Sequence, residues 1–365
     1  MMTPDSEAAL AEAVAGATGP LRIQGGGTRP IGQAKGEVLS TAGLTGIELY
    51  EPGALTLVAK AGTPVAEIEA ALAQENQRLP FEPMDHRALL GTTGEPTIGG
   101  GVATNASGPR RIQAGACRDS LIGVRYVDGQ GTVIKNGGRV MKNVTGYDLV
   151  KLMAGSHGTL GVLSEVGFKV LPGIEATATL VVHGLDAARA VAAMSKALGS
   201  PYEISGAAYL PEATKTVLRL EGFEASVTYR LKALRALLDG FGDMEELHGE
   251  ASRDLWAATR DVTHFAGVAG DLWRISVKPS DAPEVLKFLP SDMRYSLDWG
   301  GGLIWAVVSE GADLRGGLGK FSGHATCLRG AARTFHPEPA ALAAISQGLR
   351  AQFDPRRIFN TGLMG

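Results

Sequence analysis

Three glycine-rich loops, all within the first 161 residues, constrain this chain more than any other feature. Residues 25–29 (GGGTR) follow the strand-like run Leu21–Gln24, residues 97–108 (TIGGGVATNASG) lie in the middle of this segment, and residues 155–161 (GSHGTLG) precede another strand-like run. Because glycine has no Cβ, the backbone of such a loop can approach a phosphate closely and direct successive N–H groups at it. One loop indicates only a turn, whereas three together favour a large nucleotide cofactor.

Neither common nucleotide-binding motif fits the first loop. A Rossmann site needs G-x-G-x-x-G between a strand and a helix. Here three glycines are consecutive, Pro30 follows, and no amphipathic helix begins. A P-loop ends in Gly-Lys-Ser/Thr, but Gln33 and Ala34 follow Gly32. Both motifs are therefore excluded.

Composition narrows the class of protein further. A chain of 365 residues can form two domains with a sizeable core. Its 50 glycines are about twice the usual share, as expected for a turn-rich α+β protein. The net charge of −3, from 35 basic and 38 acidic residues, gives no reason to expect nucleic-acid binding. Two cysteines are too few for an iron–sulfur cluster, which would have to lie in another chain.

The sequence also predicts where the protein resides. Its first residues lack a basic segment followed by an apolar core, so we expect no signal peptide. No apolar run is long enough for a transmembrane helix. We therefore expect a cytoplasmic protein without direct membrane insertion, which reaches the inner membrane only through partners.

The first half of the chain, residues 1–172, reads as one strand-rich domain built from two small sheets. We predict helices at residues 6–14 and 64–76, with Thr63 as the N-cap of the second and Pro64 at its first position. Predicted strands cover residues 55–60, 121–128, 132–135 and 161–170. Residues 128–131 (DGQG) predict a hairpin turn between two of them.

After Pro172 and Gly173 the pattern changes to alternating strands and helices. Residues 173–338 predict two successive β-α-β-β-α-like units, which would form an antiparallel sheet with helices on one face. Such a domain would cap a cofactor and shape a substrate cavity. Residues 339–365 predict a final helix and a tail that returns to the first domain.

Five segments resemble the FAD-binding family of the vanillyl-alcohol-oxidase/PCMH type. They are residues 25–28, 97–108, 142–149 (KNVTGYDL), 158–166 (GTLGVLSEV) and 353–360 (FDPRRIFN), in the order that this family uses. The resemblance implies an α+β fold, in which a PCMH-type FAD-binding domain of two subdomains precedes an α+β cap. Within the family, residues 107–111 and 323–329 and the total length resemble the smaller FAD-binding subunits of bacterial glycolate oxidases.

The resemblance also implies which residues bind FAD. The first loop would hold the pyrophosphate, the second would lie along the flavin, and the third would contact the flavin and adenine. The implied residues are Gly25, Gly26, Gly27, Thr28, Arg29, Gly91, Thr92, Thr93, Gly94, Pro96, Thr97, Ala103, Thr104, Asn105, Ala106, Gly158, Thr159, Leu160, Gly161, Val162 and Asn360.

Three positions depart from the family or distinguish its branches. Relatives with covalent flavin carry His or Cys in the first or second loop, whereas position 28 is Thr and residues 91–108 contain neither, so we expect noncovalent FAD. His157 stands where many relatives have Glu, and Thr361 replaces the Pro after Asn360. A lone histidine is more often structural, so His157 receives no role in proton transfer.

Substrate chemistry leaves fewer marks. Related larger subunits carry a GDGNLH-type motif with clustered histidines, but the seven histidines here are scattered singly, so we predict no metal site and assign no catalytic residue. Arg110, Arg111, Arg274 and Lys278 are candidates to anchor a carboxylate, although solvated surface charge is the simpler expectation for each. His324 would lie over the flavin or in the core.

We therefore expect a subunit of a glycolate oxidase complex that oxidises small 2-hydroxy acids. Its partners would be a larger FAD-binding subunit and an iron–sulfur subunit that accepts electrons. A free-standing FAD-dependent dehydrogenase of another alcohol or acid is the first alternative. A non-catalytic scaffold is the second, although the intact glycine loops disfavour it.

Overall fold

A computed structural model describes residues 1–138, 146–319 and 321–364, so the first half of the family-like segment 142–149 lies outside the described residues. None of the described helices is both long and apolar enough to cross a membrane. The described helices are α1 Glu7–Ala15, α2 Val65–Gln74, α3 Arg87–Leu90, α4 Ile98–Ala103, α5 Arg111–Ala114, α6 Cys117–Ser120, α7 Leu149–Met153, α8 Ala187–Leu198, α9 Glu224–Leu237, α10 Gly249–Arg260, α11 Ala282–Lys287, α12 Leu314–Leu318 and α13 Ala340–Phe353.

The strands fall into four sheets within this described part. They are β1 Leu21–Gln24, β2 Glu37–Ser40, β3 Ile47–Glu51, β4 Thr56–Lys60, β5 Gln77–Arg78, β6 Leu121–Val127, β7 Val133–Gly137, β8 Val162–Lys169, β9 Leu171–Pro172, β10 Ala176–His183, β11 Gly206–Leu210, β12 Lys215–Gly222, β13 Met244–His248, β14 Asp271–Val277, β15 Arg294–Asp298, β16 Leu303–Val308 and β17 Gly323–Arg329.

The first half contains small sheets, as the sequence predicts. β1 and β2 pair in parallel, and an antiparallel sheet has the order β3-β4-β8-β6-β7. The carboxyl group of Asp128 accepts hydrogen bonds from Gln130 N and Thr132 N, both at 2.9 Å, which confirms the hairpin turn between β6 and β7. The C-terminal tail lies beside β1, because Leu21 N donates to Ile358 O at 2.7 Å and Phe359 is buried there.

The second half is one antiparallel sheet of two matching units. Its strand order is β13-β10-β12-β11-β15-β16-β14-β17. The chain order is β-α-β-β-α-β twice, from β10 to β13 and from β14 to β17, with α10 between the units. In the sheet the second unit repeats the first in reverse order, so that β11 and β15 meet at the middle. The predicted α+β class is confirmed.

One expectation for this sheet is wrong, because helices cover both of its faces. Alternate residues of β10 belong to different cores: Leu180 lies with Met194 of α8 and Leu231 of α9, whereas Val181 lies with Trp256 of α10. Neighbouring side chains of a strand point to opposite faces. Helix α10 therefore covers the second face, and its Trp256 Nε1 donates to Thr179 Oγ1 at 2.9 Å.

Two local expectations also need correction. Helix α2 begins at Val65 with Pro64 as its N-cap residue, and the Thr63 hydroxyl instead donates to Lys60 O at 2.7 Å. The second glycine loop is not wholly irregular, because residues 98–103 form α4. Thr97 is the N-cap of α4, and its Oγ1 accepts from Gly100 N at 3.3 Å.

Candidate functional site

The first two glycine segments are in direct backbone contact. A Cβ on Gly26 would lie 1.6 Å from Glu95 O, and one on Gly94 would lie 1.7 Å from Gly26 O. Thr92 Oγ1 also donates to Thr28 O at 3.0 Å between the same two segments. A Cβ on Gly25 would similarly lie 2.5 Å from Thr97 Oγ1. Contact between the loops by itself therefore requires glycine at these positions.

The third loop joins the end of α4. His157 N donates to Ala103 O at 2.8 Å, and Gly155 N donates to Val102 O at 3.0 Å. Arg29 ties the first loop to the same place, because its Nη1 donates to Thr104 Oγ1 at 3.0 Å and its Nη2 donates to Met84 O. All three loops thus meet around the C-terminal end of α4, and this meeting point of residues 25–29, 97–108 and 155–161 is called the junction below.

Asn360 closes the group from the C-terminal tail. Its Oδ1 accepts from Ile23 N at 2.8 Å, and its Nδ2 donates to His157 O at 2.7 Å. Asn360 is buried and has a positive φ of 41°, a conformation that asparagine tolerates better than most residues. A residue at the far end of the chain therefore links the first loop's strand to the third loop.

Not every predicted residue reaches this junction. Leu160 and Val162 belong to buried hydrophobic cores, and a Cβ on Gly161 would lie 2.7 Å from the Tyr126 ring. Thr159 is buried with its hydroxyl donating to Ser156 O at 2.6 Å. On the outer side, Gly91 and Thr93 are exposed. Other predicted residues are neighbours, along the chain, of the residues that make these contacts, namely Gly27, Pro96, Asn105, Ala106 and Gly158.

Some buried polar atoms beside the junction have no partners. Among the described residues, Arg29 Nε and both ring nitrogens of His86 have no hydrogen-bond partner although they are buried. Burial lowers the pKa of Arg29 to about 10. A buried donor without an acceptor costs free energy, so such atoms fit a bound group that carries acceptors.

Open space lies beside the same segment. Gly101 of α4 is buried, yet a Cβ built on it would meet no atom within 4 Å. Unlike Gly26, this glycine is not required by contact with another part of the chain. Buried volume next to partnerless donors is what a site for a large ligand needs.

The cap sheet presents cations to the loops. Burial first, and then the charges of Arg29 and Arg274, lower the pKa of His86 well below its ordinary value. The same three causes, in the same order, lower the pKa of His157 to about 4. Arg29 belongs to the first loop and Arg274 to β14. One arginine from each half of the chain therefore lowers the pKa of both histidines. The ring of His86 also meets Trp305 of β16 edge-on, with 5.7 Å between centroids.

The four basic residues that the sequence offered as carboxylate anchors lie in different surroundings. Lys278 is exposed, as expected of a solvated charge. Arg110 is buried and bound by Glu82 and Glu221, at 3.1 and 2.7 Å. Arg111 and Arg274 lie over the ring of Trp299, with their Cζ atoms 4.4 and 5.0 Å from its centroid. The surface interpretation is therefore wrong for the three arginines.

Sequence reasoning missed His86, Trp299 and Trp305. His86 stands alone in the sequence, and no spacing connects it with Arg29 or with the tryptophans. His324, which the sequence placed over the flavin or in the core, is the second residue of β17 and is exposed, so the core interpretation is wrong. Partial burial of its ring first, and then Arg274 and neighbouring cations, lower its pKa.

Comparisons with known proteins give the family. Residues 1–137 match the family model described as FAD binding domain. The glycolate oxidase subunit GlcE of Escherichia coli is 38% identical over 352 residues, which cover 94% of this chain and 92% of that protein. A D-lactate dehydrogenase of Archaeoglobus fulgidus is 31% identical over 42% of this chain and 33% of its own length. A solved structure of alkyldihydroxyacetonephosphate synthase covers 99% of this chain and 76% of that chain, with a TM-score of 0.72 at 15% identity, and shows the fold alone.

Proposed function

The chain belongs to the FAD-binding family that includes the E. coli glycolate oxidase subunit GlcE, and we propose that it is the smaller FAD-binding subunit of a glycolate oxidase complex. The complex would oxidise glycolate to glyoxylate, working beside a larger FAD-binding subunit and an iron–sulfur subunit. The observation that carries the proposal is that the similarity to GlcE extends over nearly all of both chains. We place the protein in the cytoplasm, at the inner membrane only through its partners.

The residues of the junction fit FAD. Arg29 Nε and the nitrogens of His86 lack partners in the described protein, and the space beside Gly101 admits a ligand. Residues 25–29, 97–106 and 157–158 and Asn360 would hold the cofactor, with their positions fixed by the hydrogen bonds between the loops. When bound, FAD supplies the acceptor for the hydride that leaves the substrate carbon.

The histidines His86, His157 and His324 are poor acceptors for the hydroxyl proton of the substrate. Burial and nearby arginines lower the pKa of both His86 and His157, so each imidazole is neutral at pH 7 but is a weak base. His324 is lowered in the same direction. We infer that efficient oxidation needs a group from the larger subunit.

The isolated chain, loaded with FAD, is therefore expected to oxidise glycolate and D-lactate very slowly. The measurement is the anaerobic absorbance of the flavin after substrate is added, with dithionite as the control that the flavin can be reduced. In dye-reduction assays, turnover should require this chain together with the larger flavoprotein and iron–sulfur subunits. Rapid bleaching of the lone chain would contradict the subunit assignment and favour a free-standing dehydrogenase, and full turnover without this chain would contradict its role.

A further inference from the structure

Trp299 occupies a strained and firmly held position between the two halves of the molecule. It follows β15 with a positive φ of 55°, which strains a bulky residue and persists only where surrounding contacts impose it. Its backbone N donates to the Asp298 carboxyl at 2.6 Å, and its Nε1 donates to Gly108 O at 3.2 Å. The indole is thereby fixed from the cap and from the second glycine segment.

Two arginines from opposite halves share this indole. Arg111 follows the second glycine segment, Arg274 lies on β14, and both guanidinium groups are stacked on the ring. Among the described residues, none accepts a hydrogen bond from either side chain or forms an ion pair with it. This differs from Arg110, whose charge is already matched by Glu82 and Glu221.

This arrangement carries positive charge that no ion pair among the described residues compensates. Burial first, and then the charge of Arg111, lower the pKa of Arg274 to about 10. Asp298 acts on Arg274 and Asp119 acts on Arg111 from a distance, and burial raises the pKa of Asp298 itself to about 7. Desolvated like charges are costly unless an anion joins them.

We propose that Arg111 and Arg274, positioned by Trp299, bind the carboxylate of a small 2-hydroxy acid. The assignment rests on the proposed function and gives it a substrate anchor. Arg274 pairs in register with Thr326, and Ser276 pairs with His324, so these four residues share one face of the cap sheet. That face lies toward the first half of the chain, because Trp305, which pairs in register with Arg274, packs with Met84 and meets the ring of His86. A carboxylate held by both guanidinium groups would place the rest of the acid between the cap sheet and the cofactor.

The test is the binding of oxalate to the FAD-loaded chain by isothermal titration calorimetry. Oxalate offers carboxylates but has no hydrogen to lose as hydride, so binding is measured without reaction. Arg274→Gln and Arg111→Gln should each weaken binding at least tenfold, since a charge-assisted pair is lost. Lys278→Gln, which removes an exposed charge beyond the end of β14, should bind like wild type.

Two further variants separate anchoring from folding. Arg274→Lys keeps the charge and loses the planar two-point geometry, so it should bind more weakly than wild type and more tightly than Arg274→Gln. Trp299→Phe keeps an aromatic face but loses the bond to Gly108, and should weaken oxalate binding severalfold with unchanged FAD content. Wild-type affinity in both glutamine variants, or no oxalate binding by the native chain, would overturn the proposal.

The anion site and the proposed function can be contradicted separately. If oxalate binding needs both arginines but the assembled complex does not oxidise glycolate, the anion site stands and the proposed function is wrong. If the complex containing Arg274→Gln oxidises glycolate with the wild-type KM, the function stands and the anchor is wrong.

Discussion

Replacement of Glu82 by glutamine is expected to lower the free energy of unfolding by about 3 kcal/mol, because two buried arginines, Arg110 and Arg219, are then left to share the single carboxylate of Glu221. Glu82 accepts from Arg219 Nη1 and Nη2 at 2.8 and 2.9 Å and from Arg110 N at 2.7 Å. Arg219 is only 3% exposed and lies on β12 of the cap, so the ion pair links the two halves of the chain. Chemical denaturation of the FAD-loaded chain measures the loss.

The control is Glu95→Gln, which removes an exposed partner of Arg87 and should cost less than about 1 kcal/mol. The difference between Glu82→Gln and wild type should also depend on pH. The two arginines hold the pKa of Glu82 below its ordinary value of 4.5 despite burial. Its contribution is therefore complete above pH 4.5 and is lost as the pH falls through the lower folded-state pKa. Equal effects of the two variants at pH 7 would contradict this assignment.

Substitution of Gly26 is expected to disrupt the proposed FAD site even when it adds no charge. A Cβ at this position would lie 1.6 Å from Glu95 O and 2.7 Å from Glu95 C, and backbone atoms cannot yield as a flexible side chain can. Gly26→Ala should therefore separate the first two loops and weaken FAD binding by about 3 kcal/mol, which is more than a hundredfold. Gly26→Asp should weaken it further by placing a negative charge near the pyrophosphate that we assign to this loop.

The measurement is the equilibrium titration of the flavin-free variants with FAD, followed by fluorescence. Gly53→Ala is the matched control, because a Cβ there meets no atom within 4 Å and the residue lies at the surface. Wild-type FAD affinity in Gly26→Ala would show that the two loops do not depend on each other. A loss confined to Gly26→Asp would assign the effect to charge alone.

Much of the cap could be predicted from the sequence, because its strands and helices carry local apolar patterns. The segment that sequence reasoning missed is β13 with α10. Strand β13 has the sequence MEELH and lies at the sheet's edge with mostly exposed side chains, so it lacks the apolar run that marks a buried strand. Without β13, helix α10 is not predicted either, and the second face of the sheet is expected to lack a covering helix.

For the candidate site, the sequence predicts the segments but not the contacts between them. Its loops could be assigned through their resemblance to a known family, but their geometry could not, since Gly26 meets Glu95 and Asn360 meets His157 only in the folded chain. The reason for a glycine also differs from place to place: contact between loops explains Gly26, whereas open space surrounds the Cβ position of Gly101. Nothing in the local sequence distinguishes Arg111 and Arg274, which share an indole, from the exposed Lys278.

The central claim, that FAD is held noncovalently where the loops meet, is tested most directly by the absorption spectrum of the purified chain before and after denaturation. Thr28 and the absence of His and Cys from residues 91–108 leave no such side chain at the positions where relatives carry the covalent link. We predict a flavin spectrum with stoichiometric FAD in the native chain, and complete recovery of free FAD in the filtrate after acid or heat. Flavin that stays with the denatured polypeptide, or a native chain that binds no FAD when the cofactor is in excess, would contradict the account.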